Sequence, residues 1–243
     1  MIPKIIHYCW FGKGEKSKLL QNCIASWREF LPNYRIIEWN EENFNIENAL
    51  PYVKEAYERK KYAFVSDYVR LYALEKYGGI YLDTDVEVKK TLDSFLKYSV
   101  VFCFESDNRV ATAVMLAEQG NKLIKQWKDT YDIRHFISSQ GVIDMTPNVK
   151  ELTDLLKTLG IILNGNRQEI SSLNLLVCEK ETFCPYAIGE SRNQSFSSSY
   201  TIHWCDGSWV SGSVWVKHKV IILIKKMIGS HKYEIIRKKI KGI

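Results

Sequence analysis

Asp83-Thr84-Asp85 ends the short apolar run Ile80-Tyr81-Leu82. Two carboxylates one residue apart at a strand terminus can both reach a hard divalent cation. Such a cation can bridge a diphosphate and neutralise the charge that builds up on a departing group. The same three residues are also compatible with an exposed acidic turn, so their neighbours decide their weight. Ser66, Asp67 and Arg70 lie on the helical segment just upstream. Asp67 and Arg70, at i and i+3, share one face, while Phe64, Tyr68, Leu71 and Tyr72 mark the apolar side. That spacing fits either a surface ion pair, worth about 1 kcal/mol or less, or an acceptor and donor aimed at sugar hydroxyls. Late in the chain, Ile202-His203-Trp204 is followed by Gly207-Ser208-Trp209. His203 has the chemistry of a metal ligand, and a histidine beside Trp204 also suits a packed core.

The elements that must position these groups are legible in outline. Residues 4–10 read as a buried first strand ended by a turn at Phe11-Gly12-Lys13-Gly14. Residues 17–30 have helical apolar spacing (Leu20, Ile24, Trp27) and stop at Pro32-Asn33, and residues 34–39 alternate as a second strand. Strand, helix and strand at this spacing predict a βαβ unit with a parallel sheet. Helices are expected over 49–59 and 61–77, the second closed by Gly78-Gly79, because glycine accepts the left-handed backbone. Strands follow at 80–82, 99–104 and 111–116, a helix at 120–131, and a late strand at 200–204. Residues 138–193 give a mixed pattern.

Three blocks in order carry a resemblance: Pro3-Lys4-Ile5-Ile6-His7-Tyr8-Cys9-Trp10-Phe11-Gly12, then Ala63-Phe64-Val65-Ser66-Asp67-Tyr68-Val69-Arg70, then Tyr77-Gly78-Gly79-Ile80-Tyr81-Leu82-Asp83-Thr84-Asp85. Together they resemble glycosyltransferase family 32, the sugar-binding region containing a DXD motif, with relatives in capsule biosynthesis. They are also similar to the glucosyltransferase domains of the large clostridial toxins. The resemblance spans residues 3–90 and returns at 202–209. It implies a GT-A type, Rossmann-like α/β domain with a mostly parallel central sheet, binding nucleotide-sugar at the C-terminal ends of its strands. It further implies a metal-dependent, retaining hexosyltransferase using Mn²⁺ or Mg²⁺. Carried over by position, Trp10 would stack on the nucleotide base, Ser66 would touch the nucleoside, and Asp67 and Arg70 would hold the donor sugar. Asp83 would touch ribose and sugar, Asp85 would ligate the metal directly, and Asp83 and Asp85 would be the catalytic pair. His203 would be a late metal ligand, with Ser208 and Trp209 meeting metal or β-phosphate. No equivalent of the toxins' glutamate ligand is placed, and no residue is required as a nucleophile. A UDP-hexose is the favoured donor, GDP-mannose stays open, and the acceptor would be a saccharide or lipid-linked saccharide, as in capsular or surface polysaccharide synthesis.

Charge divides the chain unevenly. From Lys217 onward there are nine Lys or Arg against one Glu, a balance of +8 in a chain of net +6, so the preceding part sums to −2. The expected division is therefore residues 1–214 as the glycosyltransferase domain and 215–243 as a basic amphipathic helical tail. Val220-Ile221-Ile222-Leu223-Ile224 amid Lys217, Lys219, Lys225 and Lys226 suits an interfacial helix at an anionic inner leaflet. It equally suits a helix packed on the domain with a solvated basic face. Nucleic acid is not an expected partner, because phosphate-backbone binding needs a basic footprint on the folded body. The six cysteines form no CxxC pair, and neither a signal peptide nor an apolar run of about 18 residues is recognisable, so a cytoplasmic location, peripheral at the membrane, is expected. Two other functions compete. A sugar-phosphate or nucleotidyl transferase would use the same acidic motif, but its glycine-rich phosphate loop has no room in Trp10-Phe11-Gly12-Lys13-Gly14. A non-enzymatic membrane adaptor would use the tail and leave the acidic motif without a role.

Overall fold

The computed structural model describes residues 1–186 and 196–207, together with positions 220, 224, 229 and 233. In chain order the elements are β1 (Ile5–Cys9), α1 (Lys18–Phe30), β2 (Arg35–Trp39), α2 (Pro51–Glu58), α3 (Tyr62–Tyr77), β3 (Gly79–Leu82) and β4 (Val86–Val88). Then come β5 (Val100–Ser106), β6 (Arg109–Ala117), α4 (Lys122–Asp129), α5 (Asn148–Thr158), β7 (Gln168–Ile170), β8 (Leu175–Cys178), α6 (Lys180–Phe183) and β9 (Thr201–His203). Seven strands form one sheet in the order β2-β1-β3-β6-β5-β8-β7, and β4 pairs with β9 outside it.

The parallel unit expected at the N-terminus is present: β1 lies between β2 and β3, parallel to both. β5 and β8 are also parallel to each other, whereas β6 and β7 run opposite to their neighbours. Five of the seven strands therefore point one way, and their C-terminal ends share an edge. β3 and β8 are buried along their whole length, which is why they read as continuous apolar runs rather than alternating ones. One core layer joins the sheet to α2, α3, α4 and α5 through Val53, Val69, Trp127 and Leu152. The other joins it to α1, β4 and the segment around Leu92 and Phe95 through Trp27 and Val86.

Two local features fix the strand that carries the acidic motif. Gly79, at φ +114°, starts β3 where an added Cβ would lie 2.5 Å from the Ile5 carbonyl oxygen, so only glycine lets the two backbones approach. Next to it, buried His7 places Nε2 2.8 Å from the Gly78 carbonyl oxygen and receives the Trp39 indole N–H on Nδ1 at 3.2 Å. The stretch over 138–193 resolves, where described, into α5, β7, β8 and α6, and three-residue β4 was not expected. The boundary at 214/215 and the tail lie outside the described residues, apart from the four single positions. Among the described residues no helix is long and apolar enough to cross a membrane.

Candidate active site

Asp83 and Asp85 occupy the turn between β3 and β4. The Asp83 amide donates to the Ala113 carbonyl at 2.8 Å, and the Val86 amide donates back to the Asp83 carbonyl at 3.0 Å. β4 is then held from below by α1, whose Trp27 indole donates to the Val86 carbonyl at 2.7 Å and whose Ser26 hydroxyl accepts the Val88 amide at 2.9 Å. Antiparallel pairing with β9 sets Val86 opposite His203. The chain beyond β9 closes on Asp85: the Trp204 amide donates to its carbonyl at 3.0 Å, and the Asp206 amide to its Oδ2 at 2.7 Å. His203 Nε2 lies 3.3 Å from Asp85 Oδ1.

Asp83, Asp85 and His203 each bring one ligand atom into a group whose members lie within 4.8 Å of one another. Two hard carboxylates and an imidazole suit a hard or borderline divalent cation better than a soft one. The electrostatics agree. Burial alone would raise the Asp85 carboxyl, yet His203 and the Asp206 amide hold it below its usual range. Burial would likewise lower the His203 imidazole, and Asp85 outweighs it, keeping the ring protonated well above its ordinary value. A cation at this position would replace that proton.

Asp67 and Arg70 do share one face of α3, but that face is interior: the two are 8% and 5% exposed. α3 is buried on nearly every side, so the surface-pair alternative does not hold. The Arg70 guanidinium lies 3.0 Å from Asp67 Oδ1 and 3.4 Å from Asp83 Oδ1, and it donates to the Thr112 carbonyl at 2.8 Å. It also stacks over the Tyr81 ring at 4.5 Å, and the Tyr81 hydroxyl donates to Asp83 Oδ1 at 3.0 Å. Burial opposes the Arg70 charge, and Asp83, Tyr81 and Asp67 more than restore it. Asp67 moves the other way: burial pushes its carboxyl up to about 7 against the pull of Arg70, whose charge it shares with Asp83. The Asn148 amide donates to Asp67 Oδ1 at 2.6 Å and accepts from the Thr112 hydroxyl at 2.9 Å. An undercompensated buried carboxylate beside an arginine is a strong acceptor for a hydroxyl donor.

The remaining expected positions divide. Trp10 sits just past β1 on the same edge, half-buried, its indole donating to the Gly14 carbonyl at 2.6 Å with the Lys16 ammonium 5.2 Å over the ring. Ser66 is half-buried and donates to the Tyr62 carbonyl at 3.0 Å. Ser208 and Trp209 lie outside the described residues. Sequence reasoning missed Tyr81, Thr112, Asn148 and Glu105. Tyr81 stood inside a recognised block with no role given to it. Asn148 opens a helix in the stretch that had no clear pattern. Glu105, half-buried near the end of β5, has its carboxyl raised by burial while His203 and Arg109 pull it down.

Among known proteins, inositol phosphoceramide mannosyltransferase 3 of Schizosaccharomyces pombe is 32% identical over 131 residues, covering 51% of this chain and 36% of that protein. An uncharacterized glycosyltransferase of Acanthamoeba polyphaga mimivirus is 35% identical over 112 residues, covering 42% of this chain and 43% of its own. The chain thus spans less than half the length of these curated relatives. Among solved structures, a glycosyltransferase involved in the glycosylation of the major capsid of PBCV-1 aligns over 90% of this chain and 98% of its own, at 12% identity and a TM-score of 0.47. Residues 17–102, which carry Ser66, Asp67, Arg70, Asp83 and Asp85, match the family described as glycosyltransferase sugar-binding region containing DXD motif.

Proposed function

We propose that this chain is a metal-dependent glycosyltransferase that moves a hexose from a nucleotide-sugar to a saccharide or lipid-linked acceptor. The observation that carries the reading is the convergence of Asp83, Asp85 and His203 beside the buried Asp67–Arg70 pair. A divalent cation held there would act as a Lewis acid on the donor's diphosphate. Asp85 and His203 would grip it from the β3–β4 turn and from β9. Asp83, tied to Tyr81 and Arg70, would face both cation and sugar. Asp67 and Arg70 would accept from and donate to sugar hydroxyls, orienting the anomeric carbon toward the acceptor. Trp10 would close the nucleotide end by stacking.

Retention of configuration belongs to the proposal, and so does a front-face route in which the departing phosphate takes the acceptor's proton. A UDP-hexose is the favoured donor. The match to proteins named mannosyltransferases makes GDP-mannose the necessary competitor, and their inositol phosphoceramide names make a lipid headgroup a natural acceptor to set against surface or capsular polysaccharide. A cytoplasmic site of action, peripheral at the membrane, fits such an acceptor.

Calorimetric titration of UDP- and GDP-sugars, with and without Mn²⁺, tests the reading. Metal-dependent binding of one donor, lost in a folded Asp85→Asn variant, is the expected result. Donor binding that ignores both metal and Asp85→Asn would overturn it.

A further inference from the structure

His203 meets Asp85 through Nε2, and its other ring nitrogen also has a partner. The Cys205 sulfur lies 3.6 Å from His203 Nδ1 and 3.7 Å from the His203 carbonyl oxygen. The two contacts are compatible with one proton arrangement: the thiol S–H donates to the carbonyl, and the sulfur lone pairs accept from Nδ1–H. A histidine that binds metal through one nitrogen needs the other fixed by such an acceptor, because that bond sets both tautomer and ring orientation. The usual acceptor is a carboxylate, a backbone carbonyl or water; here the ring meets two thiols, buried Cys184 at the end of α6 and Cys205 two residues along the same strand exit, and Cys205 is the one beside Nδ1.

The backbone at Cys205 supports a built arrangement. Its φ is +49°, and it is one of four non-glycine residues in the left-handed region among the described residues, a region that side chains other than Asn and Asp rarely adopt. The kink has two consequences. It brings the thiol to 3.6 Å from His203 Nδ1, and it turns the next amide, of Asp206, onto Asp85 Oδ2 at 2.7 Å. One strained residue therefore orders two metal-ligand candidates from behind. Cys205 is also the one half-exposed thiol of the chain, the other five cysteines being buried.

We propose that Cys205 is a positioning residue for the metal centre, its sulfur holding His203 as the Nδ1–H tautomer so that Nε2 is the nitrogen presented to the cation. The proposal rests on the metal reading of the site, and the test separates the two. Mn²⁺ affinity is measured by direct titration, without donor, for the wild type, Cys205→Ser and Cys205→Gly, alongside the thermal midpoint of each. Glycine accepts φ +49° without strain, so Cys205→Gly is expected to fold at least as stably as the wild type while losing about 10-fold in Mn²⁺ affinity. Serine keeps a donor and an acceptor at the same place, and Cys205→Ser is expected to recover most of that loss. A methylthio cap placed on the half-exposed Cys205 thiol is expected to reproduce the loss, reversed by dithiothreitol. Unchanged Mn²⁺ affinity in a folded Cys205→Gly variant would overturn the positioning role and leave the metal site standing. A loss of affinity only in proportion to a loss of stability would overturn it too. A wild type that binds no Mn²⁺ would overturn both.

Discussion

A neutral imidazole is built into the sheet at His7, with its two nitrogens committed to opposite roles toward Gly78 and Trp39. Burial lowers its pKa to about 4, so the unfolded chain takes up the proton first. Stability from this group is present above about pH 6.5 and is lost as pH falls toward 4, by about 3 kcal/mol at 1.36 kcal/mol per unit. Urea denaturation between pH 7.5 and 4 should show that slope in the wild type and a flatter one in His7→Gln. At the sugar end, Asn148 supports a carboxylate that Arg70 alone does not satisfy. Asn148→Ala should weaken donor binding by about 10-fold or more, the scale of a hydrogen bond to a charged group. Mn²⁺ affinity at Asp83, Asp85 and His203 should stay unchanged, and calorimetry with cation alone and then with donor checks both. Asp67 and Arg70 illustrate what residue spacing can and cannot convey. Their shared face follows from i, i+3 geometry, but their burial depends on helices and strands from other parts of the chain.

Strand β3 delivers the acidic motif, and its entry depends on Gly79 fitting against the backbone of β1. Gly79→Ala puts a methyl 2.5 Å from the Ile5 oxygen and should cost about 2–4 kcal/mol. Gly160→Ala, also at positive φ but in open space, should cost about 1 kcal/mol; denaturation midpoints of the two variants check the contrast. The strands and helices before β3 were legible because apolar periodicity, Pro32-Asn33 and Gly78-Gly79 all mark their limits locally. β4 was not, since three residues directly after a polar turn carry no period. Its strand character comes from β9 and from the α1 side chains Ser26 and Trp27. α5 was hidden for a related reason: it follows a loop whose order comes from Arg134 bridging Asp144 and Glu151, a tertiary clamp with no sequence period. The candidate site was thus half visible. Asp67 and Arg70 on α3, Asp83 and Asp85 after β3 and His203 on β9 could be named in advance, and Tyr81, Glu105, Thr112 and Asn148 could not.

For the molecule as a whole, the sequence separates a weakly acidic body from a strongly basic end. If residues 216–243 bring the catalytic edge to an anionic surface, deleting them should abolish binding to vesicles containing phosphatidylserine and leave donor affinity intact. Cosedimentation with such vesicles, against neutral ones, is the measurement. The pairing of β4 with β9 has a separate consequence for how the chain is assembled. Asp85 and Asp206 stand 121 residues apart, and the strands β5 to β8 lie between them in sequence. A nascent chain that has finished the β3 turn therefore owns Asp83 and Asp85 but not His203, and the third ligand arrives only after most of the sheet has formed. Cation binding would then act as a seal on completed folding, joining the ends of the 121-residue excursion from Asp85 to Asp206. The free energy of that seal follows from mass action: at about 100 times the dissociation constant, Mn²⁺ would add about 2.7 kcal/mol to the folded state, and a chain stopped before β9 would gain almost none of it.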